Sequence, residues 1–272
     1  MSTTTDIVIY SGGNPYGSTY DPNLLPSFAG AYTTVVLWAL RVDVAGTITM
    51  NDGVIVRGGQ FVAAAEAWAA QIRALKSSGV RRVGLSFISF AAIKTLMDQY
   101  GDSPLNPLYQ SLQLLIDRLH VDFVDYDDES VYDAESSVAF AQMCATLGLN
   151  VTLCPYTYMN YWTALAYRLR ALSPELCSSV FLQCYSGGAG NDPASWNDAF
   201  AEANVPLTVT PGCTTSSPKQ VVAQVAGWKA ELPALGSAFI FVGTSMTGPG
   251  YTPRDYAEAI ASGLVASSAI AS

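Results

Sequence analysis

Eight apolar, β-branched runs recur along the 272 residues, each followed by a stretch long enough to hold a helix. They cover residues 6–10, 33–42, 83–88, 121–127, 150–156, 180–185, 207–210 and 238–242. Strands this continuously apolar belong to a parallel sheet covered on both faces, since a strand with one wet face alternates instead. Helical periodicity fills the intervals. Phe61, Ala65, Trp68, Ile72 and Leu75 form one stripe, Leu108, Leu112, Leu115 and Leu119 a second, and Val221, Val225, Trp228 and Leu232 a third. Gly79, Gly148 and Gly236 each stand between a helical run and a strand, as helix-ending glycines do. The Gly- and Thr-rich stretch 44–60 suits a turn or small hairpin better than a helix.

No linker or low-complexity stretch breaks the alternation, so residues 1–272 read as one domain. The pattern predicts an α/β protein, a single (β/α)8 TIM barrel. The rival is a doubly wound open sheet, which commonly carries a glycine-rich phosphate loop after its first strand. Here that loop is Ser11-Gly-Gly-Asn-Pro-Tyr-Gly17, which lacks the GxGxxG spacing and contains a proline. The barrel is the better reading.

Half of the residues are hydrophobic and 13% are charged, enough apolar material for a large core. The 13 Lys plus Arg against 22 Asp plus Glu give a net charge of -9, and no basic stripe is visible. That argues against nucleic acid or an anionic membrane as partner. No run of eighteen apolar residues suggests a transmembrane helix. A neutral substrate such as a sugar suits this surface, as does plain solubility.

His120 is the only histidine, which excludes an HExxH site and argues against a Ser-His-Asp triad or Cys-His pair. It falls at a helix-to-strand junction and reads as structural. Cys144, Cys154, Cys177, Cys184 and Cys213 are odd in number and never form CxxC. Cys154 and Cys184 sit in strand-like runs, where cysteine serves as a small buried hydrophobe. A disulfide framework or zinc site is therefore not expected, nor is any metal or cofactor. Met1 to Asp6 enters the first strand with no charged and apolar leader. Read as it stands the chain is cytoplasmic, and a secreted protein trimmed of its signal would begin in the same way.

The fourth run ends in Val121-Asp-Phe-Val-Asp-Tyr-Asp-Asp-Glu-Ser130. Strand side chains alternate, so Asp125, Asp127 and Glu129 share one face, the interior of a barrel, while Asp122 has the opposite parity and a structural role. Three inward acids are costly, because close carboxylates repel and lose hydration. Such a cluster persists only where shared protons, a metal or strong hydrogen bonds compensate. A solvated Asp-rich loop and a divalent-cation site are the alternatives. The first fits poorly with Val121, Phe123 and Val124, and the second lacks a glycine-punctuated loop.

The spacing Asp122-x-x-Asp125-x-Asp127-x-Glu129 resembles the signature of glycoside hydrolase family 18, the chitinases and endo-β-N-acetylglucosaminidases. Phe123 stands where the family usually has glycine. Leu37-Trp-Ala-Leu40 with Val44-Ala-Gly-Thr-Ile is similar to the family's second strand and the excursion after it. Thr152-Leu-Cys-Pro-Tyr156 is similar to its fifth strand, and Leu182-Gln-Cys-Tyr-Ser186 to its sixth-strand Gln-x-Tyr. The resemblance implies a retaining, substrate-assisted hydrolase acting on β-linked N-acetylglucosamine (GlcNAc), in chitin oligosaccharides or the N-glycan core. This chemistry is an exception to the two-carboxylate scheme. Glu129 would be the acid, Asp127 the partner of the 2-acetamido N–H, and Asp125 a support sharing a proton with Asp127. Tyr185 would donate to the acetamido oxygen and Gln183 would line the floor.

Sugar stacking needs exposed aromatic faces, and Tyr10, Trp38 and Tyr156 end or lie in barrel strands where a substrate would sit. Tyr158, Tyr161 and Trp162 follow the fifth strand, and core packing is the competing role for Tyr161 and Trp162. Trp68 and Trp228 lie on helical stripes and read as buried. Two departures bear on substrate. Ser86-Phe-Ile-Ser89 replaces a Ser-x-Gly-Gly, which implies bulkier packing beside the fourth strand. The eighth strand, Ala238-Phe-Ile-Phe-Val-Gly-Thr244, lacks the tryptophan that usually floors the sugar site, leaving Phe239 or Phe241 to substitute. A lectin-like barrel without activity, or an enzyme of another specificity on the same acidic strand, stands beside the hydrolase reading. Oligomeric state is left open by the sequence.

Overall fold

The computed structural model describes residues 5–246 and 250–266, so the leader reading of residues 1–4 lies outside it. In chain order the strands are β1 (Asp6–Tyr10), β2 (Thr34–Val42), β3 (Ile48–Met50), β4 (Gly53–Arg57), β5 (Gln60–Phe61), β6 (Arg82–Phe87), β7 (Phe123–Tyr126), β8 (Asn150–Leu153), β9 (Cys177–Gln183), β10 (Val209–Thr214) and β11 (Ser237–Phe241). Eight of them pair in parallel in the order β1-β11-β10-β9-β8-β7-β6-β2, and β2 returns to β1. The sheet closes, which leaves the barrel no free edge. The short strands β3, β4 and β5 form an antiparallel excursion off the end of β2, a hairpin as expected from 44–60 with one further turn of sheet.

The helices are α1 (Glu66–Ser77), α2 (Phe90–Tyr100), α3 (Pro107–Leu119), α4 (Ala134–Thr146), α5 (Met159–Leu172), α6 (Pro193–Glu202), α7 (Pro218–Glu231) and α8 (Pro253–Val265). Their distribution is uneven. A single 3-10 turn, Pro26–Phe28, bridges β1 to β2, and two helices, α2 and α3, lie between β6 and β7. Four helices begin with proline after a capping side chain: Asn106 for α3, Asp192 for α6, Ser217 for α7 and Thr252 for α8. Proline suits that position because its missing N–H would be unpaired there anyway. Gly79 and Gly148 follow their helices at φ of 102° and 78°, as helix-ending glycines should. Gly236 does not. The α7 helix stops five residues earlier at Glu231, ahead of Pro233, which cannot continue a helix.

The helical stripes bury largely as predicted, with Trp68, Ile72, Leu75, the stripe leucines Leu108, Leu112, Leu115 and Leu119 of α3, and Val221, Val225 and Trp228 inside, while Leu232 is half-buried. Phe61 and Ala65 precede α1, in β5 and a 3-10 turn. Beside β7 the packing is bulky, as the missing third-strand glycines imply. Phe87 and Phe90 meet the Tyr126–Phe140 pair, whose rings stack at 5.1 Å and 9°.

Inside the barrel the side chains fall into tiers. Val8, Val36, Phe123, Phe181 and Phe239 fill the lower part. Their bulk is accommodated by two glycines: a Cβ on Gly84 would collide with the Phe123 ring, and one on Gly212 with the Phe239 ring. Each glycine is the paired neighbour of the phenylalanine it makes room for. The Gly212→Ala variant should lose about 1–3 kcal/mol of stability, the usual cost of an overpacked core. A denaturant midpoint equal to that of wild type would contradict this packing.

Candidate active site

Asp125, in the middle tier, is fully buried. Tyr10 and Ser86 donate their hydroxyls to its Oδ2 at 2.9 and 2.8 Å, and Thr152 donates to Oδ1 at 2.6 Å. These donors come from β1, β6 and β8, so the closed barrel itself assembles the set. Burial pushes the Asp125 carboxyl up to about 6, and the three hydroxyls pull it partly back.

Asp127 lies just past β7, where its N–H still donates to Phe87 O at 3.1 Å. Trp38 Nε1 donates to its Oδ2 at 3.0 Å and Gln183 Nε2 to its Oδ1 at 3.1 Å. Burial, then repulsion from Asp125 and Glu129, holds this carboxyl well above the usual range, and the Trp38 bond opposes the rise. Glu129 is exposed at the mouth, and the Gln183 amide reaches its Oε1 at 3.2 Å. One amide therefore joins the two carboxyl groups. Gln183 is itself held, because Asn191 Nδ2 donates to the Gln183 carbonyl at 2.8 Å.

A pocket of about 240 Å³ opens over these groups. Tyr10, Trp38, Asp127, Glu129, Cys154, Gln183, Tyr185, Ser186 and Phe241 line it. The Tyr185 and Phe241 rings stack at 5.2 Å and 11°, and Trp38 stands edge-on to Phe241 at 4.7 Å. Phe241 takes the floor position, whereas Phe239 is buried in the tier below.

Seven of the eight expected site residues thus converge. Tyr156 does not line the pocket; it packs against Gly187, where a Cβ would approach its ring to 3.0 Å. Tyr10 reaches the pocket from beneath but is only 1% exposed, so it has no open face for stacking and acts through its hydroxyl. Asp122 faces outward onto Lys76 at 2.5 Å and the Val83 N–H at 2.7 Å, the structural role its parity implies. Trp162 is buried and Tyr161 bonds Ser137, as core packing requires.

Three participants were not anticipated. Asp128 is buried and accepts the N–H groups of Ser130, Val131 and Tyr132 at 3.0, 2.9 and 2.7 Å, which folds the loop that carries Glu129. Cys154 lies under the pocket, where the Tyr10 hydroxyl reaches its sulfur at 3.3 Å. Its parity with Thr152 could have revealed this. Ser186, in a left-handed turn at φ 48°, carried no signal in the sequence. Among the described residues no group of three or more His, Cys, Asp or Glu is arranged to hold a metal ion.

No protein-family model matches this sequence, and no curated protein matches it either. Solved structures do. A chitinase from Aspergillus fumigatus aligns over 94% of this chain and 98% of its own, at 16% identity and a TM-score of 0.66. A chitinase-like lectin from tamarind aligns over 94% and 99%, at 13% identity and 0.56. A family GH18 chitinase from Cycas revoluta, solved with allosamidin, aligns over 95% and 98%, at 11% identity and 0.56. The chain therefore has the single-barrel fold shared by family 18 chitinases and a chitinase-like lectin.

Two outcomes test the electrostatics. Asp125 is raised in the folded state, so between about pH 4 and 6 the native protein binds more protons than the unfolded chain, and stability falls as pH rises. An Asp125→Asn variant should lose less stability than wild type across that window in denaturant titrations; an unchanged difference would refute the assignment. Trp38→Phe should shift the Asp127 carboxyl to still higher pH, followed by its carboxyl carbon-13 resonance, because the opposing hydrogen bond is gone.

Proposed function

We propose that the protein is a retaining glycoside hydrolase that cleaves β-linked GlcNAc with the substrate's own acetamido group as nucleophile. The observation that carries this reading is the Gln183 amide, which ties Asp127 to Glu129 over a pocket floored by Phe241 and Tyr185. Glu129 stands at the mouth, where a glycosidic oxygen would emerge from the pocket, and delivers its proton there. The acetamido oxygen attacks the anomeric carbon as the leaving group departs. Asp127 accepts the acetamido N–H, and its carboxylate form is drawn out by the positive charge that develops on the oxazolinium ring. Tyr185 donates to the acetamido oxygen. Water, with Glu129 now acting as base, then opens the ring from the first face and retains configuration.

A lectin role on the same barrel is the second reading. It is favoured by Phe241, a smaller platform than the family's usual tryptophan, and by the shared fold of the tamarind lectin. Chromophore release from GlcNAc oligomers and from N-glycans separates the two. Glu129→Gln should lower turnover by at least about 100-fold, the lower end of what a general acid contributes, and leave sugar binding intact. A substrate without the acetamido group should not be cleaved. A thiazoline analogue of the intermediate should bind tightly. Full activity in Glu129→Gln would sink the proposal, and weak sugar binding without turnover would favour the lectin.

A further inference from the structure

Glu129 stands where the sheet no longer holds the chain. The β7 strand ends at Tyr126 and the Asp127 N–H still bonds Phe87 O, but Glu129 lies two residues further on. A general acid must nevertheless meet its oxygen closely, because an error of about 1 Å can cost roughly 100-fold in rate. The Gln183 amide reaches the Glu129 carboxyl at 3.2 Å, from a side chain that also serves Asp127 and the Cys154 carbonyl. Asp128 gathers three N–H groups beyond Glu129 and so sets the shape of the turn. A turn folded on its own residues still needs something to fix its place over the pocket.

The turn ends at Tyr132, one residue before the Asp133 cap of α4. The Tyr132 ring meets three others edge-on, all from the segment that follows β8: Tyr158 at 4.6 Å, Tyr161 at 5.4 Å and Trp162 at 6.1 Å. This socket is firm. Trp162 is buried, and the Tyr161 hydroxyl shares a 3.0 Å hydrogen bond with Ser137 in the first turn of α4. The Ser137 carbonyl accepts the Tyr126 hydroxyl, from the end of β7, at 3.1 Å. Strand end, helix start and socket are thus tied together around the turn that carries the acid.

Local backbone preference does not account for a tyrosine at this position. Tyr132 has φ 51° and Tyr158 has φ 52°, both in the left-handed region, which favours glycine or asparagine over a bulky side chain. Tyr158 also takes the N-cap of α5 without a capping hydrogen bond. Strain of this kind persists where the surroundings over-determine it, and here two strained residues meet through their rings. The hydroxyl adds nothing to the contact. It is buried with no partner at hydrogen-bonding geometry, the Tyr156 hydroxyl being merely near.

We infer that Tyr132 is a positioning residue for Glu129: its ring, seated among Tyr158, Tyr161 and Trp162, fixes where the Asp128 turn presents the acid beside Gln183. This rests on the glycosidase reading above. The ring contact acts on turnover and not on occupancy of the pocket, because Asp127 and Tyr185 are held by Trp38, Gln183 and Phe241 from other strands.

Two measurements on Tyr132→Ala and Tyr132→Phe test the positioning role. The first sets chromophore release from GlcNAc oligomers beside calorimetric binding of GlcNAc thiazoline. Tyr132→Ala should lower kcat about tenfold to 100-fold, with KM and thiazoline affinity within about twofold of wild type. Tyr132→Phe should restore kcat, because it keeps the ring. The second measurement follows the Gln183 side-chain amide resonances, with Glu129→Ala marking their position when the acid is gone. Tyr132→Ala should move them towards that position, and Tyr132→Phe should leave them as in wild type. Tyr132→Gly relieves the left-handed strain and should match alanine in both, which covers an alanine variant that fails to fold. Wild-type kcat with unmoved Gln183 resonances in Tyr132→Ala overturns the role, as does thiazoline affinity lost in step with kcat. If wild type cleaves no oligomer, the glycosidase reading falls, and the Gln183 resonances still decide whether the ring holds Glu129.

Discussion

Three hydroxyl groups make it possible to bury a carboxyl group at the centre of this barrel. Asp125 sits between an apolar lower tier and the pocket, and without Tyr10, Ser86 and Thr152 its desolvation would oppose closure. Those partners come from three strands, two of them the immediate neighbours of β7, so the register of β6, β7 and β8 and the satisfaction of Asp125 are one constraint. Everything above depends on it. Asp127 is held high partly by the charge of Asp125, and the turn that presents Glu129 starts from the end of the same strand.

The floor of the pocket divides its work between residues from opposite sides of the barrel. Phe241 offers a small apolar ring and no N–H. Trp38, on β2, stands edge-on to Phe241 and directs its own N–H to Asp127. Apolar area and a polar donor are thus divided between two strands. Because Trp38 and Gln183 each hold one oxygen of Asp127, that carboxyl is oriented before any ligand arrives. Such preorganisation is worth more in a dry pocket than an equal number of bonds in water.

The sequence carried the barrel and the line of acids well, because both follow from period. Continuous apolar runs specify parallel strands, and the alternation of Asp125, Asp127 and Glu129 survives even though β7 proper ends at Tyr126. Alternation tells which way a side chain points and not how much water reaches it, which is why Tyr10 reads as a stacking face and is a buried donor. Past the end of β8 it fails. The β8 strand stops at Leu153, so Tyr156, two residues beyond Cys154, leaves the interior and turns onto Gly187. The seventh run errs in the opposite sense, since it was expected to end at residue 210. The β10 strand runs on through Pro211 to Thr214, since only the loss of one N–H is at stake. Asp128 was illegible because its partners are backbone amides of the following turn, which no side-chain pattern records.

The tiers also explain why bulk and glycine must change together in this chain. On β7 the Phe123 ring fills space that Gly84, its neighbour on β6, leaves free. The same pairing recurs for Phe239 and Gly212 on β11 and β10. Large rings low in the barrel thus prop the strands from within and leave the upper tier to polar groups. A residue such as Asp125 can then be buried against hydroxyls without also having to fill volume. Phe123, two residues before Asp125 on β7, is in physical terms part of the packing that supports the acids above it.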